Sequence, residues 1–249
     1  MSDAVVTLTF PTPAIAVVEL ADRTHRNMFS RRLVEELLDT FRRIAATPAA
    51  KVAVVHGYDT YWCSGGTRDE LMGIFERRVS FTDLPLYRLF LDAEIPVIAA
   101  MQGHALGGGL AMGLFADVVI LAEESLYGAN FMNYGFTPGM GATLVLPHKF
   151  GTALATEMLL SGASYHGGEL AKRGVPFAVV KRRDVIPAAM RKAGELADKP
   201  LEALKQLKRH LAAPLAAALP RAVAEELRMH EITFHDPDVG RRIDAQFGG

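Results

Sequence analysis

The chain has 249 residues, half of them hydrophobic, a formal net charge of −1 and one cysteine, Cys63. A single cysteine rules out an internal disulfide framework and fits a reducing compartment. The near-neutral charge without a basic block argues against nucleic acid as a partner. The opening residues lack the basic start of a signal peptide, and no apolar run reaches the roughly 18 residues of a membrane span. The expectation is a soluble cytoplasmic protein with no membrane partner.

In chain order, residues 5–10 and 14–20 are β-branched runs separated by "PTPA", a hairpin pattern. Ser30 is placed to cap a helix over 31–46, whose apolar positions recur at helical spacing. Residues 51–57 predict a buried strand, 68–78 and 84–94 two helices, 96–103 a strand, 108–116 a helix and 117–124 a strand. Two helices follow "TPGMGATL", and 177–180 is a late short strand. From Val185 the pattern is almost wholly helical, in segments 185–198, 200–215 and 219–234 and a short closing piece. The order predicts an α/β fold, with a core over 1–184 and a helical region over 185–249.

Three consecutive glycines in "MQGHALGGGLAM" lie between a predicted strand and a predicted helix. A tight connection is one reading. A phosphate loop is excluded because no Lys-Ser/Thr follows, and the dinucleotide spacing is also absent. A third reading is an oxyanion hole, in which bare backbone N–H groups meet a ligand carbonyl. A second strand–glycine–helix junction, "YWCSGGTRDEL", could supply the other donor. No His/Cys/Asp/Glu spacing suggests a metal site.

"SGGTRDEL", then "IPVIAAMQGHALGGGLAMGLFADVVI", then "YGFTPGMGA" resemble the crotonase (enoyl-CoA hydratase/isomerase) superfamily over nearly the whole chain. The resemblance implies a spiral ββα core, a C-terminal helical trimerisation region, and a homotrimer or dimer of trimers. It implies no cofactor beyond the substrate's own carrier, the acyl group arriving as a coenzyme A or phosphopantetheine thioester. It also implies that the N–H groups of Gly66 and Gly108 form the oxyanion hole. The two glutamates by which hydratases of this superfamily handle water fall at Ala111 and Phe131 here, and neither side chain moves a proton.

The same loss marks the hydratase-like decarboxylases of polyketide β-branching cassettes, which "GYDTYWCSGGT", "NFMNYGFTPGMGAT" and "ELRMHEITFH" resemble. That resemblance implies loss of carbon dioxide from a 3-methylglutaconyl-like group on an acyl carrier protein. A dienolate would form in the oxyanion hole and be protonated by His230, whose ordinary pKa near 6.5 suits the task. The related decarboxylases carry a lysine in the loop after the first oxyanion junction. Here that loop has only Arg68, Arg77 and Arg78 as cations, with Ser80 near the lysine's place. Arg77 and Arg78 are therefore candidates for the substrate carboxylate, against a solvated helix end. Arg23, His25 and Arg26 match the loop that borders the pantetheine arm and are candidates for the carrier's phosphate and acidic surface. Tyr127 and Tyr134 either line the acyl pocket or pack; Cys63 and His235 read as structural. An enoyl thioester isomerase and a non-catalytic thioester-binding scaffold are the alternatives, the scaffold having no need of two oxyanion glycines.

Overall fold

The first β-branched run folds back at the Pro13–Ala14 turn: β1 (Val6–Thr12) pairs antiparallel with β2 (Ile15–Leu20), with Val6 opposite Leu20. The structure, a computed structural model, describes residues 4–83 and 85–247. Leu84 of the helix predicted over 84–94, the first three residues and the last two lie outside the described residues. Ser30 caps α1 (Arg31–Ala45), its hydroxyl accepting from the Leu33 N–H at 3.2 Å.

Three strand pairs then follow one another. β3 (Val52–His56) and β4 (Tyr61–Cys63) precede α2 (Arg68–Phe75). After a 3₁₀ turn (Pro85–Arg88) and the short α3 (Leu89–Asp92), β5 (Val97–Met101) and β6 (His104–Leu106) precede α4 (Gly108–Leu114). β7 (Val118–Ala122) and β8 (Leu126–Gly128) lead through a second 3₁₀ turn (Asn130–Tyr134) to α5 (Ala142–Phe150) and α6 (Thr152–Ser161). β9 (Ser164–His166), α7 (Gly167–Lys172) and β10 (Ala178–Val180) complete the sheets. The first strand of each pair joins a six-stranded sheet, β1-β2-β3-β5-β7-β10, and the second a four-stranded sheet, β4-β6-β8-β9. Among the strand pairs of the described residues, only β1/β2 and β8/β9 are antiparallel.

This corrects the sequence reading at one point. The glycine loops do not leave the long strands over 51–57 and 96–103 directly; β4 and β6 intervene. Three-residue strands show no period, and their pairing partners are distant in sequence.

The long strands are apolar throughout because both faces of the large sheet are covered. The pleat sends Ala53, Val55, Ala99 and Met101 into the main core, and Val52, Val54, Ile98 and Ala100 into a second cluster. Val185, Ala189 and Ala193 of α8 (Arg182–Ala197) close that second cluster. The division expected between residues 184 and 185 falls in the first turn of α8.

The two helices expected over 200–234 are one. α9 (Leu201–Thr233) runs for 33 residues through Pro214 and Pro220 before α10 (Pro237–Phe247). Each proline removes one ladder N–H. The stripe Leu215, Leu219, Val223, Glu226 and His230 is buried without a break across them. The buried Lys208 ammonium donates to the carbonyls of Phe90 and Ile95, both at 3.0 Å, and to Asp117 at 2.8 Å, tying α9 to the core.

Candidate active site

The glycine triplet has a separate steric reason at each of its three positions, a Cβ on Gly108 falling 2.9 Å from the Phe29 ring. Gly107 has φ +53° and turns the chain from β6 into α4. A Cβ on Gly109 would lie 2.3 Å from the Cys63 carbonyl oxygen, so α4 can approach β4 this closely only without a side chain there. Gly108, between them, has an N–H with no acceptor among the described residues, and the same is true of Gly66. Gly65, before Gly66, has φ +87°, and a Cβ on it would sit 3.7 Å from the Gly108 nitrogen. The two loops are thus in contact, each with an open N–H directly after a positive-φ glycine.

His230 approaches from α9. It is 6 % exposed, and three aromatic rings meet it edge-on, those of Phe81, Phe136 and Phe234. Its Nε2 lies 2.8 Å from the Thr137 carbonyl oxygen. A carbonyl only accepts, so Nε2 carries the hydrogen. Burial holds the His230 pKa below its ordinary value, against the opposing hydrogen bonds to the 137–138 backbone.

Two further α9 residues clamp the same turn. Glu226, one helical turn before His230, accepts from the N–H groups of Gly141 (2.8 Å) and Thr143 (2.9 Å) and from the Thr143 hydroxyl (2.6 Å). Burial raises its carboxyl pKa, which those three donors oppose. The Thr233 hydroxyl lies 3.0 Å from that of Thr137. The sequence reading missed Glu226, though its i, i+4 spacing to His230 on one buried stripe is a legible signal.

A cavity of about 320 Å³ joins these parts: Gly66, Gly108 and His230 all line it, with Phe131, Phe136 and Phe234 supplying much of its apolar wall. Tyr134 lines it as well; Tyr127 does not. The Tyr127 hydroxyl donates to the Met101 carbonyl at 2.6 Å and accepts from the Ala122 N–H, so it holds β5 to β7. Phe131 faces the cavity, and Ala111 is fully buried outside the lining. Ser80 lines the cavity, its hydroxyl 2.9 Å from that of Thr82. Burial pushes the Cys63 thiol up to about 12, leaving it unreactive. His235 bonds the Phe75 carbonyl at 2.8 Å, on a different face from His230.

The candidate cations lie apart from this cavity. Arg77 pairs with Glu231 and Arg78 with Glu76; neither is among the lining residues, and Arg68 is held by Asp244 at 2.6 Å. Arg23 bonds Asp59 at 2.8 Å and lies over the Tyr58 ring, Arg26 lies over Tyr61, and His25 bonds Asp22 at 2.9 Å. Their loop runs directly into Phe29 and Arg31, which do line the cavity. Asp22 binds Ser30 as well as His25, and these bonds hold its carboxyl below the ordinary value against the opposing effect of burial. Among the described residues no group of three or more His, Cys, Asp or Glu has a metal-binding arrangement.

Chemically, the cavity offers two fixed donors for a developing oxyanion and one imidazole, in apolar surroundings that strengthen each interaction. Residues 12–245 match the family described as enoyl-CoA hydratase/isomerase. The chain belongs to that family. Among its relatives the chain is 52% identical over 248 residues to the bacillaene synthase decarboxylase PksI of Bacillus subtilis (strain 168), covering 100% of both. A solved structure from a dehydratase/decarboxylase enzyme couple involved in polyketide β-branching overlays with a TM-score of 0.97 at 52% identity, covering 99% of this chain and 100% of that one. The ECH2 decarboxylase domain of CurF from Lyngbya majuscula gives 0.94 at 42% identity, with 98% and 100% covered. The fold expected from the sequence, an enoyl-CoA hydratase/isomerase core with a C-terminal helical region, is borne out.

Proposed function

We propose that this family member is a decarboxylase of polyketide β-branching, acting on a 3-methylglutaconyl-like thioester carried on an acyl carrier protein. The bond between the terminal carboxyl carbon and its neighbouring methylene breaks, and carbon dioxide leaves. The electron pair moves through the carbon–carbon double bond onto the thioester oxygen, where the Gly66 and Gly108 N–H groups hold the dienolate. Protonated His230 then delivers a proton to carbon and the thioester carbonyl re-forms. The observation that carries this reading is the meeting of two open backbone N–H groups with one buried histidine, in a cavity whose wall carries Phe131 and no hydratase carboxylate at that position. The full-length likeness to a bacillaene synthase decarboxylase, to the CurF decarboxylase domain and to a structure from a polyketide β-branching dehydratase/decarboxylase couple supports it.

The test is incubation with the carrier-bound 3-methylglutaconyl thioester, followed by mass spectrometry of the carrier. Loss of one carbon dioxide is expected; an unchanged acyl mass overturns the reading. An isomerase would need a carboxylate base, and Glu70 lines the cavity with no partner for its carboxylate among the described residues. Glu70→Gln separates the two, because only the isomerase loses its base.

The carrier is proposed to dock where the 22–27 loop meets the cavity rim at Arg31. The assembly is proposed to be a trimer or a multiple of three. Leu207 (57 % exposed) and Leu211 (68 %) on α9 and Leu160 (71 %) on α6 support this as apolar surface awaiting a neighbouring subunit. Light scattering is expected to give a mass divisible by three, and a stable monomer would contradict it.

A further inference from the structure

Asn130 opens the 3₁₀ turn after β8 and stands directly before Phe131. Its side chain lines the active cavity. Its carboxamide makes no hydrogen bond to any described residue, yet the buried polar side-chain atoms of the described residues all have partners. The group is therefore open to the cavity. It also lies against the oxyanion loop: a Cβ on Gly107 would come within 2.9 Å of its Oδ1.

Resting on the decarboxylase reading, we propose that the Asn130 carboxamide is the binding group for the carboxylate the substrate loses. The carboxylate of a 3-methylglutaconyl group is four carbon–carbon bonds from the thioester carbonyl carbon, so with the oxyanion at Gly66 and Gly108 it lies beside these loops. The cations that could compete are elsewhere. Arg77 and Arg78 are paired with Glu231 and Glu76 away from the lining, and Arg31, which lines the cavity, is exposed and faces Glu35 at 3.4 Å. Ser80 has its hydroxyl against Thr82.

A neutral amide also suits the chemistry better than a cation. Decarboxylation turns a charged group into neutral carbon dioxide, so a strong ion pair stabilises the starting state more than the transition state and slows the step. An amide N–H fixes the direction of the breaking bond, and the surrounding Phe131, Phe136 and Leu71 side chains strip water from the charge. Asn130 thus selects for a carboxylated acyl chain without holding it too tightly to react.

Glutaryl- and butyryl-coenzyme A test this by calorimetric titration. They differ only by the terminal carboxylate, and glutaryl lacks the double bond that lets the electron pair delocalise, so neither reacts. The wild-type protein is expected to prefer glutaryl. Asn130→Leu, of similar size, is expected to weaken glutaryl binding by about 10- to 100-fold, the range for a hydrogen bond to a charged group, with butyryl within twofold. Asn130→Asp, which sets a like charge against the carboxylate, is expected to weaken glutaryl further, again sparing butyryl. No wild-type preference, an equal loss of both ligands, or undiminished glutaryl binding by either variant overturns the assignment. Because the readout is binding of inert ligands, absence of carbon dioxide release in the separate turnover assay counts against the proposed reaction and not against Asn130.

Discussion

On one wall of the cavity the donors are the backbone N–H groups of Gly66 and Gly108, fixed by β4, β6 and two positive-φ glycines. On the other, His230 of α9 faces the cavity and bonds Thr137, while Glu226, outside the lining, braces residues 141–143. The first wall cannot titrate and has almost no freedom to move, which suits an oxyanion that must find its donors already in place. The second can carry a proton, and its acidity is set by how deeply α9 buries it. On the proposed reading the reaction divides between a part made of backbone and a part made of side chains, each open to a different kind of perturbation.

The largest effect is expected on the side-chain wall. His230→Gln keeps size and polarity but has no proton to give at working pH, and should lower decarboxylation by about 10²–10⁴, the range for a general acid–base group. Steady-state turnover of purified protein checks this; a rate within twofold of wild type across pH 6–8 would make His230 structural. On the backbone wall the corresponding change acts through stability. Gly109→Ala drives a methyl group into the Cys63 carbonyl and should cost about 1–3 kcal/mol by overpacking, read from urea unfolding, with the oxyanion geometry disturbed in what remains folded.

The pH dependence separates the walls further. Burial holds the pKa values of His230 and His104 below their ordinary value near 6.5. Below about pH 6.5 the unfolded chain therefore takes up protons before the folded one does, and stability should fall as pH drops from that value. His230→Gln should remove part of this drop. The rate should move in the other direction: if imidazolium is the donor, turnover falls as pH rises through the lowered pKa. Measuring both between pH 5 and 8 checks the two signs. The smallest effects are expected for Arg77→Ala and Arg78→Ala, whose ion pairs are exposed and screened by solvent and which do not reach the cavity. A tenfold fall in turnover for either would return the arginines to the site.

The sequence by itself determined the family and the α/β class, and raised the expectation that Ala111 and Phe131 replace the hydratase carboxylates, because glycine runs and residue identities are local facts that no packing can change. Ser30 as a cap and the β1/β2 hairpin were legible for the same reason: each depends on neighbours within a few residues. Only the tertiary structure decided what required distant segments to meet. The three-residue strands β4, β6 and β8 exist by pairing with one another, and no window along the chain contains that information. α9 passes two prolines that locally signal a break, because a continuous buried stripe outweighs two missing hydrogen bonds. Arg77 and Arg78 looked like anion binders until Glu231 and Glu76 were seen beside them. Asn130 carried no signal, since an asparagine becomes notable only when its amide opens without a partner into a cavity whose other walls come from residues far away in the chain.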